Sequence, residues 1–407
     1  MRVAAPLSLL ALLALASSLA TAPAVAAPSL GVATPIEDPG NVGLGRWYAS
    51  LKRAAGGQGV VRALQYGDST IAADGFTRTV RARLAARFGD AGPGFVSAAF
   101  DPAWNKRVDV SARRTGEWTL KTILHGGAGG RYGLGGIVGI LRDGASATVK
   151  AVDAAGTARG MTRAEVWYQA GEGYGTFWAS VDGAPAQRAA ATASSTDDRR
   201  WTYDGPVTTL AFGAAGGPVP LYGVVLETGG PGITWEALGV IGVGSKSFSS
   251  YAKTHLGEQM RVRDPDLVVV MIGGNEAGYP ALLGSGGAAY APIFQAGLQT
   301  ILAGAPDASC LVVTPLDQGF VDEADGVAKS KPGMANLVAQ QRAVAHASGC
   351  AFWDTRAAMG GKDSAARWGR ARGIGTGDYV HVTAAGLDIL GNLLSDALLT
   401  GFDAWNR

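Results

Sequence analysis

The period of the apolar positions changes several times along the chain, and those changes outline its architecture. Val60 to Tyr66 (VVRALQY) is a short run of strand-forming residues that ends in Gly67-Asp68-Ser69. Between Asp74 and Phe88, residues Phe76, Val80, Leu84 and Phe88 recur every four positions, which predicts a helix with one apolar stripe. A helix-like segment over 46–55 precedes this strand–loop–helix unit, and the turn-rich GDAGPGF at 89–95 stops it. From Trp104 to Glu227 the texture becomes short alternating runs such as EVWYQ (165–169), TFWASV (176–181) and VTTLAF (207–212), separated by Gly, Asp and Pro. That pattern predicts antiparallel β-structure. Past Gly229-Gly230-Pro231-Gly232, strands over 233–241, 266–272, 310–314 and 351–354 alternate with helices over 247–260, 290–303, 334–348 and from Thr383 onward. Alternation with long crossovers predicts a parallel sheet covered on both faces, split by a β insertion.

The first 27 residues have a different character. A basic Arg2, an apolar run from Ala4 to Leu19 and small residues around Ala24-Val25-Ala26 form the pattern of a cleavable export signal, with cleavage expected after Ala26. The run is shorter than the roughly 20 residues a spanning helix needs, and no later segment supplies one. The expected organisation is therefore a signal peptide at 1–26, a first α/β part at 45–103, an inserted β-sandwich at 104–230 and a second α/β part at 231–407. The expected location is periplasmic or extracellular, with no membrane attachment after cleavage.

Composition narrows the chemistry. The 407 residues are 47% hydrophobic and carry 35 Lys+Arg against 33 Asp+Glu, so the net charge of +2 argues against a nucleic-acid partner. Four histidines, at 125, 255, 346 and 381, never fall at ligand spacing from one another or from the cysteines, so no metal site is expected. Cys310 and Cys350 each stand just before an apolar strand-like run. Neighbouring parallel strands would bring them side by side, where a disulfide can form in an oxidising compartment; two separate buried thiols are the other reading.

Four short motifs fall at the carboxyl ends of predicted strands, where open α/β folds bind ligands. Asp378-Tyr379-Val380-His381 sets a carboxylate three residues before an imidazole, just ahead of a helix. A serine nucleophile needs such an oriented imidazole to take its proton and return it to the leaving group. Ser69 follows Gly67-Asp68 at a strand end and precedes a helix, whose N-terminal N–H groups favour a developing oxyanion; a plain helix cap is its bland alternative. Asn275, in Gly273-Gly274-Asn275-Glu276-Ala277, has a side-chain amide to offer the same oxyanion, or serves as a turn residue. Ile241-Gly242-Val243-Gly244 ends another strand with backbone N–H groups open to approach, or is an ordinary turn.

In this order the motifs resemble the four blocks of the SGNH (GDSL-type) hydrolase superfamily, over about 50–100 and 233–395. The resemblance implies a flavodoxin-like three-layer α/β fold around a parallel sheet, with an inserted antiparallel β domain similar to a jelly roll. It makes Ser69 the nucleophile, His381 the base and Asp378 its orienting partner, with Asn275 and Gly242 joining the Ser69 N–H in the oxyanion hole. Gly244 fits the glycine block as well as Gly242 does. Thr70 stands where Leu often follows the serine, and Ile241 where Asn often precedes the glycine. Within the superfamily, GDSTIAADGFT, GDAGPGF, GGNEA and DYVHVTAAG look like bacterial peptidoglycan O-acetylesterases and related carbohydrate esterases. The expectation is a cofactor-free, secreted serine esterase that deacetylates an acylated glycan or small ester. The alternatives are a lipase or thioesterase, and a non-catalytic glycan-binding protein on a relic fold. Sequence does not indicate an oligomeric state.

Trp118, Trp167, Trp178, Trp201, Tyr168, Tyr174 and Tyr203 crowd the insertion; aromatic faces can stack on sugars, but in alternating strands they more often fill a sandwich core. The insertion is expected to wall one side of the cleft. Arg367, Arg370 and Arg372 precede the His381 loop, either as a solvated basic loop or as a holder of a substrate carboxylate. His125, His255 and His346 read as structural or surface residues.

Overall fold

A computed structural model of the chain describes residues 30–101, 103 and 105–407; the predicted export signal at 1–26 lies outside them. Five parallel strands form the central sheet in the order Gly232–Gly239, Val60–Gly67, Leu267–Met271, Ser309–Val313, Ala351–Trp353. In chain order this is 2-1-3-4-5, the doubly wound arrangement with a switch point beside the first strand. Side chains alternate across the sheet, and both faces are buried. Val61, Ala63, Trp235, Val269 and Leu311 pack under the helices Gly45–Ala55, Gly75–Phe88 and Ala384–Trp405. Leu64, Tyr66, Val268, Val270 and Val312 face Lys253–Arg263, Ala291–Leu302 and Met334–Ala347. The expected stripe is intact: Phe76, Val80, Leu84 and Phe88 are all buried. Thr383 caps the last helix, its hydroxyl accepting from the Gly386 N–H at 3.4 Å. Cys310 and Cys350 form a disulfide with Cα atoms 4.6 Å apart.

The insertion is a pair of antiparallel sheets facing each other across Val149, Val166, Phe177, Leu210, Phe212 and Val224. It begins earlier than the expected boundary at 104. Gly94–Ser97 pairs antiparallel with Val219–Glu227, so the chain enters the inserted sheet directly after the GDAGP turn. A four-residue strand is too short for an alternation to announce it. Phe95, Trp167 and Tyr222 of the insertion share one apolar cluster with Leu238, Phe248 and Met260. The two parts are thereby joined through a common core.

The expected helix over 247–260 is divided. Ser245–Ser250 is a 3₁₀ turn, and Tyr251 is extended, at φ −69° and ψ 137°, before Lys253–Arg263 begins. The break lets the Tyr251 hydroxyl donate to the Leu134 carbonyl at 2.8 Å, in the core shared with the insertion. Among the described residues no helix is long and apolar enough to cross a membrane.

Candidate active site

Ser69 opens the short helix Ser69–Ala72 at the carboxyl end of Val60–Gly67. The turn requires Gly67: a Cβ there would stand 2.2 Å from the Ile71 side chain and 2.8 Å from the Met271 carbonyl oxygen. Asp68 caps the helix, its Oδ1 accepting the Thr70 N–H at 3.0 Å. Asn105 braces the neighbouring strand end by donating to the Gly239 carbonyl at 3.0 Å, and the Lys106 N–H donates to the Ala72 carbonyl at 2.8 Å.

The Asp378–His381 loop approaches from the other end of the chain. Tyr379 adopts a left-handed φ of +59°, unusual for a residue with a side chain, and its carbonyl accepts the Gly319 N–H at 2.7 Å. That turn lets Asp378 Oδ1 accept the N–H groups of both Val380 and His381, each at 2.8 Å. Asp378 Oδ2 lies 2.7 Å from His381 Nδ1, and His381 Nε2 lies 3.4 Å from Ser69 Oγ. With Nδ1–H donated to the carboxylate, Nε2 is left as an acceptor facing the serine hydroxyl. Partial desolvation of Asp378 opposes its charge, but the His381 N–H, the imidazole, the Val380 N–H and the Thr376 hydroxyl outweigh it. Its carboxyl is held well below the usual carboxylate range, so it is ionised throughout the neutral range.

These groups border a cavity of about 310 Å³ whose walls include Asp68, Ser69, Asn275 and His381. Asn275 donates one amide hydrogen to the Val243 carbonyl at 2.8 Å, which leaves its second hydrogen free of that bond. The contact fixes the 242–244 loop against Asn275, and the buried Glu276 accepts the Ser245 N–H beside it. Burial pushes the Glu276 carboxyl up, partly offset by that N–H, and nearby Asp68 pushes it further. Gly242 has φ +83° and faces Leu124, while a Cβ on Gly244 would stand 2.8 Å from Glu276 Oε1. Neither glycine is among the residues that border the cavity. The structure thus brings Ser69, His381, Asp378 and Asn275 together and leaves both glycines in the loop behind Asn275.

Other expectations shift. Arg367, Arg370 and Arg372 do not border the cavity, and Arg367 donates instead to the carbonyls of Gly360 and Lys362 at 2.8 and 3.2 Å. Lys331, Gln318 and Tyr279 line it, and none was singled out from sequence. Lys331 and Gln318 lie in loops without a motif; Tyr279, four residues after Asn275, was the legible one. No described residue of the insertion borders the cavity, so the expected wall is absent there. Tyr168 fills the sandwich interior, stacked on Phe177 at 4.3 Å, and Trp167 is buried in the core shared with the parallel-sheet part. His255 lies 2.6 Å from Asp198, but its Nε2 meets the Tyr132 carbonyl and not a hydroxyl, which makes it a structural bridge to the insertion. Among the described residues no cluster of three His, Cys, Asp or Glu side chains is placed to hold a metal ion.

Residues 194–389 match the GDSL-like Lipase/Acylhydrolase family, a span that contains Gly242, Asn275, Asp378 and His381 and begins after Ser69. The fold is similar to that of a solved peptidoglycan O-acetylesterase, at 24% identity over 91% of this chain and 99% of that one, with a TM-score of 0.75. A solved acetylxylan esterase from Geobacillus stearothermophilus, Axe2, is 21% identical over 41% of this chain and 73% of that one, with a TM-score of 0.30, too low to bear on the site. No curated protein matches the sequence. Residues 194–389 are thus similar to GDSL-like lipases and acylhydrolases, and the doubly wound parallel sheet is the fold of a solved esterase, which together support a carboxylic ester hydrolase resembling the SGNH (GDSL-type) enzymes.

Proposed function

We propose that the protein is an exported serine esterase that removes acetyl groups from an O-acetylated carbohydrate such as peptidoglycan. The observation that carries this reading is the single hydrogen-bonded line from Asp378 through His381 to Ser69 at the edge of a polar cavity. His381 Nε2 takes the Ser69 proton as Oγ attacks the ester carbonyl. The oxyanion rests on the Ser69 N–H and the Asn275 amide, the latter held by the loop that carries Gly242 and Gly244. His381 then protonates the departing sugar hydroxyl. Water, deprotonated by the same imidazole, attacks the acetyl-serine, and collapse returns acetate and the free hydroxyl. Asp378 stays ionised and holds the imidazolium, so no cofactor enters the cycle.

The signal-like N-terminus supports export to where cell-wall glycan lies. Likeness to a peptidoglycan O-acetylesterase across nearly the whole of both chains, insertion included, supports that substrate class. Acetate release by the purified protein tests it. O-acetylated peptidoglycan should release acetate faster than acetylated xylan. Turnover of p-nitrophenyl acetate without acetate release from either polymer would overturn the carbohydrate assignment and leave the esterase.

A further inference from the structure

We propose that the cleft extends past the Ser69 cavity into a second subsite, where Lys331 recognises a carboxylate on the acetylated glycan and Tyr279 and Phe320 stack on its rings. The proposal rests on the esterase reading above. A second cavity, of about 470 Å³, shares Gly278, Tyr279 and Lys331 with the first, so the two adjoin along these residues. Phe320, Leu283 and Pro332 line its far part. Of the Phe, Tyr and Trp side chains in the described residues, only those of Tyr279 and Phe320 are left exposed, at 59% and 37%, and both line this groove. Two uncovered rings beside a polar cavity suit the C–H faces of a pyranose, which are apolar, while its hydroxyls stay in water.

Lys331 stands at the junction. Its ammonium donates to a neutral partner, the Gln318 amide oxygen at 2.8 Å, whereas nearby Lys329 is bridged to Asp322 and Asp325 at 2.9 and 2.6 Å. Among the described residues Lys331 has no carboxylate partner, and partial burial makes its charge harder to hold, with Asp378 acting in the opposite sense. An ammonium with two hydrogens left over and incomplete hydration gains most from an anion. A long acyl chain running from Ser69 into the groove would have to pass this ammonium and strip its water without replacing it, which is unfavourable. A carboxylated glycan meets both features at once: a charge for Lys331 and ring faces for Tyr279 and Phe320.

The test compares two substrates that differ in one group: an O-acetylated N-acetylglucosamine–N-acetylmuramic acid disaccharide with a free lactyl carboxylate, and its methylamide. The carboxylate form should have the higher kcat/KM by about 10-fold or more, chiefly through KM, since a hydrogen bond to a charged group contributes on that scale. Lys331→Met should bring the ratio close to one, Lys331→Arg should retain most of it, and Phe320→Ala should lower turnover of both disaccharides relative to p-nitrophenyl acetate. A wild-type ratio near one, or a ratio that survives in Lys331→Met, would overturn the proposal. So would faster hydrolysis of p-nitrophenyl octanoate than of the acetate, selectively lost in Phe320→Ala, because the groove would then be an acyl trough. Absence of p-nitrophenyl acetate turnover by the wild type would instead contradict the esterase reading.

Discussion

Ser69→Ala should lower kcat/KM for p-nitrophenyl acetate by on the order of 10³-fold or more. Among the described residues the hydroxyl is the only nucleophile hydrogen-bonded to His381 Nε2, and alanine fits the short Ser69–Ala72 helix, so the fold should survive the change. The loss belongs to the chemical step. His381→Ala should have a comparable effect, because without the imidazole the hydroxyl keeps its proton at neutral pH. The double variant should be little worse than either single one, since the two side chains act as a unit. Retention of a tenth or more of wild-type activity in Ser69→Ala would remove the proposed mechanism.

The second large effect is on stability. Arg263 ends the helix Lys253–Arg263 with its guanidinium buried between Glu236, on the edge strand of the parallel sheet, and Glu227, at the end of a strand of the insertion. Glu227 also receives Arg62 through two bonds, at 3.0 and 3.1 Å, whereas Glu236 has the Thr234 hydroxyl at 3.0 Å as its other side-chain donor. Arg263→Met therefore strands the fully buried Glu236 carboxylate, and a loss of about 3–5 kcal/mol in unfolding free energy is expected. Adding Glu236→Met should recover much of it, because an apolar pair does not need the missing charges. Denaturant titration of the two variants decides the matter; a loss below about 1 kcal/mol in the single variant would show that the network is not a determinant of stability.

The same network has a pH signature. Burial alone would raise the Glu227 carboxyl, but Arg263 and Arg62 override it and bring it down to about 2, from an ordinary value of 4.5. A depressed folded-state value means that the stabilisation is fully present above the unfolded value and is lost as pH falls from about 4.5 toward about 2. The slope of stability over that window should be shallower in Arg263→Met than in the wild type.

What could be read from the chain followed its locality. The Phe76–Val80–Leu84–Phe88 stripe is a one-dimensional signal, and it became a buried helix face. The meeting of Ser69 with His381, 312 positions apart, was legible because Gly67-Asp68-Ser69 followed a predicted strand and Asp378-Tyr379-Val380-His381 stood just ahead of the last predicted helix. A parallel sheet gathers all its strand ends at one edge. Lys331 and Phe320 were not legible in the same way. Phe320 lies on one strand of a small hairpin, Gly319–Val321 paired with Ala328–Ser330, and Lys331 directly follows the other; what marks them is exposure of the ring and, among the described residues, the lack of a salt bridge to the ammonium, neither of which leaves a local pattern. The break at Tyr251 was hidden for a related reason: SKSFSSYA reads as weakly helical, and only the core it shares with the insertion pulls Tyr251 out of register. The three arginines before His381 are exposed and do not border the cavity, which agrees with their reading as a solvated basic segment and not with the alternative of a carboxylate holder.

Labelling with a fluorophosphonate, followed by mass spectrometry of the peptides, reads out whether His381 activates Ser69 for covalent attack. One adduct is expected, on Ser69, forming in step with loss of activity in the wild type and strongly slowed in His381→Ala. Complete inactivation with the label on another residue, or labelling of Ser69 at an equal rate without the imidazole, would contradict it.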